Sequence, residues 1–248
     1  MKKVVPAIAL VLLSACSGPA SDQPPPATDT TATVRDTFPV PDTWIGYYTD
    51  TLPCADCPGI DTRLWVRNDS TFVLQQLYID RDSIPQGSIG QWHVVNGLLT
   101  IGADGDKPDF YRWTKDGLTM VDEMGTLDTS ALDWSLDRLA DEIGDAIPRM
   151  RLGGAFTFAG DAQSFRPCGS HFSWPCVGGM DMGEEEGEPL ISFTNEDLLK
   201  LYRKAVKSGE AWSIEAVCTM GMGPAMEGDG ADEYIFIEQP PHTIASCP

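Results

Sequence analysis

Apolar and polar residues alternate with a period of two through most of residues 44 to 127, the pattern of half-buried strands. Trp44-Ile-Gly-Tyr-Tyr48, Thr62 to Arg67 and Thr71 to Ile79 come first. Gly87 to Val95, Leu98 to Ile101, Phe110 to Trp113 and Leu118 to Val121 follow. Asn68-Asp-Ser70 punctuates the series as a turn. Asn96-Gly97 and Asp116-Gly117 favour two-residue hairpin connections. Seven or so antiparallel strands at this spacing predict an up-and-down barrel or sandwich. The period then changes: Leu132, Leu136, Leu139, Ile143 and Ile147 recur at steps of three to four, which predicts an amphipathic helix over Ser135 to Asp145, stopped by Pro148.

Strand patterns resume at Leu152 to Ala159, Gln163 to Pro167 and Phe172 to Val177. Thr194-Asn-Glu-Asp197 resembles a capping box with Asp in place of Glu. Leu198, Leu199, Leu201, Tyr202, Ala205 and Val206 form the apolar face of the helix it opens, and Gly209 ends it. Trp212 to Thr219 and Tyr234 to Ile237 are the closing strands. Three strands, a helix and two strands is the element order of an OB-fold. The fold class expected is therefore mainly β, a first antiparallel barrel over 42–131 and an OB-fold-like barrel over 151–248, joined by a helical connector at 132–150.

The first 41 residues follow neither pattern. Met1-Lys2-Lys3 is a basic start, and Val4 to Ala15 gives twelve largely apolar residues, against about 20 needed to cross a bilayer. Leu13-Ser14-Ala15-Cys16 resembles a bacterial lipobox, with 1–15 as the signal peptide and Cys16 carrying the lipid. Ser17 after the lipidated position looks like the pattern of outer-membrane lipoproteins. Residues 16–41 are rich in Pro, Thr, Ala, Ser and Asp and hold too few large apolar residues to fold. Partly extended, the 25 residues from Ser17 to Pro41 reach roughly 50–75 Å. The chain is expected to be lipid-anchored in the outer membrane and to face the periplasm.

The formal charge of −20 excludes one class of partner. So acidic a body repels phosphate backbones, so nucleic acid is not an expected ligand even for an OB-fold. Apolar residues make up 42%, enough for a packed core. One of the seven cysteines is Cys16; the other six are an even number, as paired thiols in an oxidising compartment would be.

The chemistry concentrates in Leu52-Pro-Cys-Ala-Asp-Cys-Pro-Gly-Ile60. Cys54 and Cys57 lie two residues apart in a turn stiffened by Pro53 and Pro58, with Gly59 letting the chain reverse. Such a pair suits a metal held by two thiolates, a reversible disulfide, or half of a zinc site. A staple is the plain alternative, but so short a loop contributes roughly 2 kcal/mol where one of 80 residues contributes roughly 4.5. Asp56 between the thiols works against an activated thiolate, no basic residue or His adjoins them in sequence, and no hydrolase motif appears. The chain is not expected to be an enzyme. His93, between Trp92 and Val94 in a strand, reads as structural.

Gly46-Tyr47, Leu52 to Ile60, Thr62, Leu64, Asp69-Ser-Thr-Phe72, Leu74 and Tyr78 resemble the NlpE family of copper-homeostasis and envelope-stress lipoproteins. The resemblance covers Trp44 to Leu127 well and Leu152 to Cys247 more loosely, through Leu152-Gly-Gly-Ala-Phe156, Asp161-Ala162, Phe165 and Cys168-Gly169. It implies a lipocalin-like first barrel with the cysteine turn near one end, and a periplasmic sensor protein of a stress system as partner. In this reading Cys54 and Cys57 bind Cu(I) or cycle as a dithiol, the role expected of the chain being copper and envelope redox-stress handling. The four remaining cysteines allow three pairings. The resemblance favours Cys168 with Cys247, which leaves Cys176 with Cys218 as an added pair.

The methionines offer a second soft-metal candidate. Met180-x-Met182 follows Cys176, and Met220-x-Met222 follows Cys218. Thioethers and thiolates select Cu(I), and the surrounding glycines would let these loops wrap an ion. Gly-rich loops using Met as filler are the plain reading. Cys176 and Cys218 cannot serve as a staple and as ligands together. The alternative for the whole chain is a lipocalin-like module that binds a small apolar ligand, its cysteines structural.

Overall fold

The computed structural model describes residues 44–102, 107–139, 148–179, 193–226 and 228–247. Cys16, the tether, Met180 and Met182 lie outside them.

The alternating stretches form an eight-stranded meander: β1 (Gly46–Leu52), β2 (Ile60–Val66), β3 (Thr71–Tyr78), β4 (Gln86–Val95), β5 (Leu98–Gly102), β6 (Asp109–Trp113), β7 (Gly117–Val121) and β8 (Ser135–Leu139). Each strand pairs antiparallel with the next, and β8 returns to β1 through Tyr47↔Leu139 and Thr49↔Asp137, closing a barrel. Its interior is filled by Tyr48, Leu64, Val66, Phe72, Leu99, Ile101, Tyr111, Leu118 and Leu136, all buried. An eight-stranded barrel is just wide enough to be filled by its own side chains, and here bulky ones fill it. The Tyr48 hydroxyl donates to the Trp44 carbonyl at 2.9 Å, and burial pushes its pKa up to about 12.

Two local expectations change. Asn96 and Gly97 do form a two-residue turn, with φ of 53° and 76°. Asp116-Gly117 does not: Thr114 Oγ1 accepts the Gly117 N–H at 3.0 Å, and Gly117 is already in the strand. Glycine is needed there for close approach, since a Cβ would sit 2.0 Å from the Leu136 carbonyl oxygen. The helix expected over Ser135 to Asp145 is corrected as well. Ser135–Leu139 is the closing strand, and 140–147 lies outside the described residues. Of its described apolar residues only Leu136 is buried; Leu132 and Leu139 are about half exposed. The open edges of β1 and β7 need backbone partners, and that demand overrides a weak helical period.

The second half contains β9 (Arg149–Ala159), β10 (Ala162–Pro167), β11 (Trp174–Gly178), α1 (Asn195–Ala205), β12 (Trp212–Pro224), β13 (Ala231–Ile237) and β14 (His242–Thr243). Pairings run β9–β10–β11–β13–β12 and back to β9, with β11 and β13 parallel, so five strands close an OB-fold-like ring. The capping box forms as read: Thr194 Oγ1 accepts the Asp197 N–H, and the Asp197 carboxylate accepts the Thr194 N–H at 3.2 Å. The helix stops at Ala205, because Val206 is already extended. Gly209, at φ 85°, instead lets the following turn return its N–H to the Tyr202 hydroxyl at 3.0 Å.

Both barrels fall in one compact unit. Val73 and Ile89, on the outer face of the first barrel, belong to the core of the second with Met150, Leu152 and Phe156. Gly87 makes room for this contact, since a Cβ there would meet Met150 Sδ at 2.3 Å. Polar contacts complete the seam: Arg151 N–H donates to the Pro85 carbonyl at 2.8 Å, and Gln75 Nε2 to the Arg149 carbonyl at 2.9 Å. Glu233 Oε2 accepts from both Arg67 Nη1 and Trp174 Nε1 at 2.9 Å.

Candidate functional site

The cysteine turn is the connection from β1 to β2. Its stem is set by the last register pair, Leu52↔Ile60, and by the Ile79 N–H donating to the Gly59 carbonyl at 3.1 Å. Gly59 does not supply a left-handed turn. A Cβ there would lie 2.4 Å from Thr51 Cγ2, so its role is close packing of the stem.

Cys54 and Cys57 are joined in a disulfide, with S–S 2.02 Å and Cα–Cα 5.4 Å. Both are half-buried, so the bridge is reachable from solvent. Cys57 Sγ lies 3.3 Å from the Gly59 carbonyl oxygen and Cys54 Sγ 3.7 Å from Asp56 Oδ1. In this state neither sulfur is a thiolate, so a metal can be held only after reduction.

One residue of this site was missed from sequence. Arg81, in the turn after β3, reaches the loop with Nη2 2.6 Å from Asp56 Oδ2 and 2.7 Å from the Asp56 carbonyl oxygen. Adjacency in sequence hid it, since 25 residues separate the partners. The signal was in the topology: in a meander the β1–β2 and β3–β4 connections share an end, and Asp80-Arg81-Asp82 is the turn at that end.

The second bridge joins Cys168, just after β10, to Cys247, with S–S 2.11 Å and Cα–Cα 5.3 Å. The expected Cys176–Cys218 pair is not made; both are buried thiols. The reason is geometric. Strand β13 runs between β11 and β12, with Cys176 opposite Ile235 and Cys218 opposite Ile237. Two strand spacings alone separate the Cα atoms by about 9–10 Å, and a disulfide needs less than about 7 Å. Burial pushes the Cys218 thiol up to about 12, with the Glu238 carboxylate adding to it. Burial, then Cys218 itself, raises Cys176 well above the ordinary thiol range.

Of the four candidate methionines only Met220 and Met222 lie among the described residues. Met220 points into the second core, whereas Met222 on the same face of β12 is 66% exposed beyond the barrel. His93 stands exposed on β4. Among the described residues no group of three or more His, Cys, Asp or Glu side chains is placed to hold a metal.

The fold and site define a class: a filled antiparallel barrel displaying a Cys-x-x-Cys bridge on one connection, packed against a second barrel closed by its own disulfide. Residues 48–131 match the NlpE family model described as the NlpE N-terminal domain. It is 29% identical over 170 residues to Lipoprotein NlpE of Escherichia coli (strain K12), which covers 67% of this chain and 69% of the relative. Among solved structures, that of the Cpx pathway activator NlpE from Escherichia coli covers 82% of this chain and 98% of its own at 19% identity and TM-score 0.34. A putative lipoprotein from Shewanella oneidensis covers 40% of this chain and 91% of its own at 28% identity and TM-score 0.35.

Proposed function

We propose that this chain is an outer-membrane lipoprotein, anchored through Cys16 and facing the periplasm, that handles copper and reports envelope redox stress through the Cys54–Cys57 loop. The likeness to a lipoprotein, and to a protein described as an activator of the Cpx pathway, supports an envelope-stress role, with a periplasmic sensor protein as partner. The role requires no turnover, so the chain is read as a non-enzymatic sensor.

The observation that carries the reading is the placement of the Cys54–Cys57 bridge. It closes a loop of four residues at a barrel end, where loop closure contributes only about 2 kcal/mol, and it is accessible. Accessible bridges are the labile ones in redox proteins. Once reduced, the loop offers two thiolates from one turn, a donor set that suits Cu(I) better than zinc, which wants four ligands. The dithiol and the bridge then compete, so copper occupancy depends on redox state.

The test is a stepwise reduction of the full chain with dithiothreitol, trapping free thiols and mapping them by mass spectrometry. The expected result is reversible opening of Cys54–Cys57 under conditions that leave Cys168–Cys247 closed. A Cys54–Cys57 bridge that opens only together with Cys168–Cys247 contradicts the reading.

A further inference from the structure

We propose that Arg81 is a positioning residue for the cysteine loop: by gripping Asp56 it holds the loop in its bridged shape and so sets the balance between disulfide and dithiol. This rests on the redox reading of the loop.

The grip is specific. One guidinium nitrogen, Nη2, contacts both the carboxylate and the backbone carbonyl of Asp56, the residue directly before Cys57. The other carboxylate oxygen rests 3.7 Å from Cys54 Sγ. Side chain and main chain of the residue between the sulfurs are thus tied to one point outside the loop. That point is itself fixed: the N–H groups of Arg81 and Asp82 both donate to the Tyr78 carbonyl, at 3.1 and 3.0 Å, and Asp80 takes a φ of 64° to make the turn. With the stem held at Leu52, Ile60 and Gly59, Arg81 restrains the part of the loop that the stem does not.

Two effects of Arg81 oppose each other. Its positive charge favours thiolates and hence the open form, and Asp56, Asp82 and the Tyr78 hydroxyl face that charge and offset it. Its restraint favours the closed form, because two thiols held near each other re-form their bond more readily than two on a free loop. At pH 7 an ordinary thiol is mostly protonated, so the charge has little thiolate to act on, and the restraint dominates.

The step is a thiol–disulfide exchange with a small dithiol. The Cys54–Cys57 bond breaks as the intramolecular disulfide of dithiothreitol forms; two electrons pass to the protein sulfurs, and two protons move from the dithiothreitol thiols onto Cys54 and Cys57. Dithiothreitol reduces even structural bridges, so the constant can be measured wherever it falls. Full-chain wild type, Arg81→Gln, Arg81→Lys and Asp56→Asn are equilibrated with dithiothreitol mixtures at pH 7, and each bridge is quantified by differential alkylation. Arg81→Gln is expected to lower the constant for forming Cys54–Cys57 about three- to tenfold, about 14–30 mV towards easier reduction. Asp56→Asn keeps the carbonyl contact and Arg81→Lys keeps the charge; both should fall between. The Cys168–Cys247 constant should not move. An unchanged constant in Arg81→Gln, an increase, or an equal fall in both bridges overturns the proposal. A wild-type constant as high as that of Cys168–Cys247 counts instead against the redox reading, and the Arg81→Gln difference still tests the strap.

Discussion

Replacing Cys168 and Cys247 together by Ser should destabilise the chain far more than replacing Cys54 and Cys57 together. The bridge Cys168–Cys247 spans a sequence separation of 79, and nearly all of the second barrel after β10 lies inside that loop. Loop-closure entropy gives about 4.5 kcal/mol for it, against about 2 kcal/mol for the four-residue loop at Cys54. The folded state loses little when the bridge is removed, because the terminal segment has other ties. Ile244 N–H donates to the Ser213 carbonyl at 3.0 Å, Trp212 Nε1 to Thr243 Oγ1 at 2.9 Å, and β14 pairs with β12. The effect therefore arises mainly in the unfolded chain, which the bridge keeps compact. Urea unfolding followed by tryptophan fluorescence reports both halves, since Trp174 and Trp212 lie in one core and Trp44 and Trp92 in the other. With a slope of about 2 kcal/mol per M, the Cys168/Cys247 double variant should lose about 2 M of midpoint, against about 1 M for the Cys54/Cys57 double variant, and gain slope as its unfolded state expands. A loss no larger than that of the Cys54/Cys57 double variant would show that loop closure does not set what each bridge contributes.

Glu233→Ala should cost about 1–3 kcal/mol, because Arg67, 14% exposed, loses its close partner and keeps only Asp69 at 3.7 Å, and Trp174 Nε1 loses its acceptor; Glu233→Gln, which keeps an acceptor, should cost less in the same urea titration. Cys176 and Cys218 should resist alkylation in the folded protein and label at the rate of global unfolding, measured by mass spectrometry over a denaturant series. Their raised pKa values also fix a pH trend. The stabilisation is fully present below the ordinary thiol pKa of about 9 and is lost as pH rises towards about 12, so Cys218→Ala should flatten the alkaline fall in Tm.

Strand positions in the first half were legible because one face of each strand fills the barrel, which imposes the alternation on the sequence. The capping box was legible because it is local. What failed was non-local. The strand at Ser135–Leu139 follows from the need to close β1 against β7, which no window of residues around Leu136 records. The Cys176–Cys218 pair failed because strand order, with β13 in between, decides the distance. Of the candidate site, the two sulfurs were readable and Arg81 was not, because its contact with Asp56 exists only once the two connections share an end.

Whether the reduced Cys54–Cys57 loop binds Cu(I) is decided by a competition titration against a Cu(I) chelator under reducing conditions. Wild type, Cys54→Ser and a variant with Met180, Met182, Met220 and Met222 replaced are compared as full chains. The expected result is one Cu(I) bound by the reduced wild type more tightly than Zn(II), lost in Cys54→Ser, lost on oxidation to the bridge, and kept in the methionine variant. Full affinity in Cys54→Ser would show that the loop is not the copper ligand; its loss in the methionine variant alone would move the metal to the second barrel.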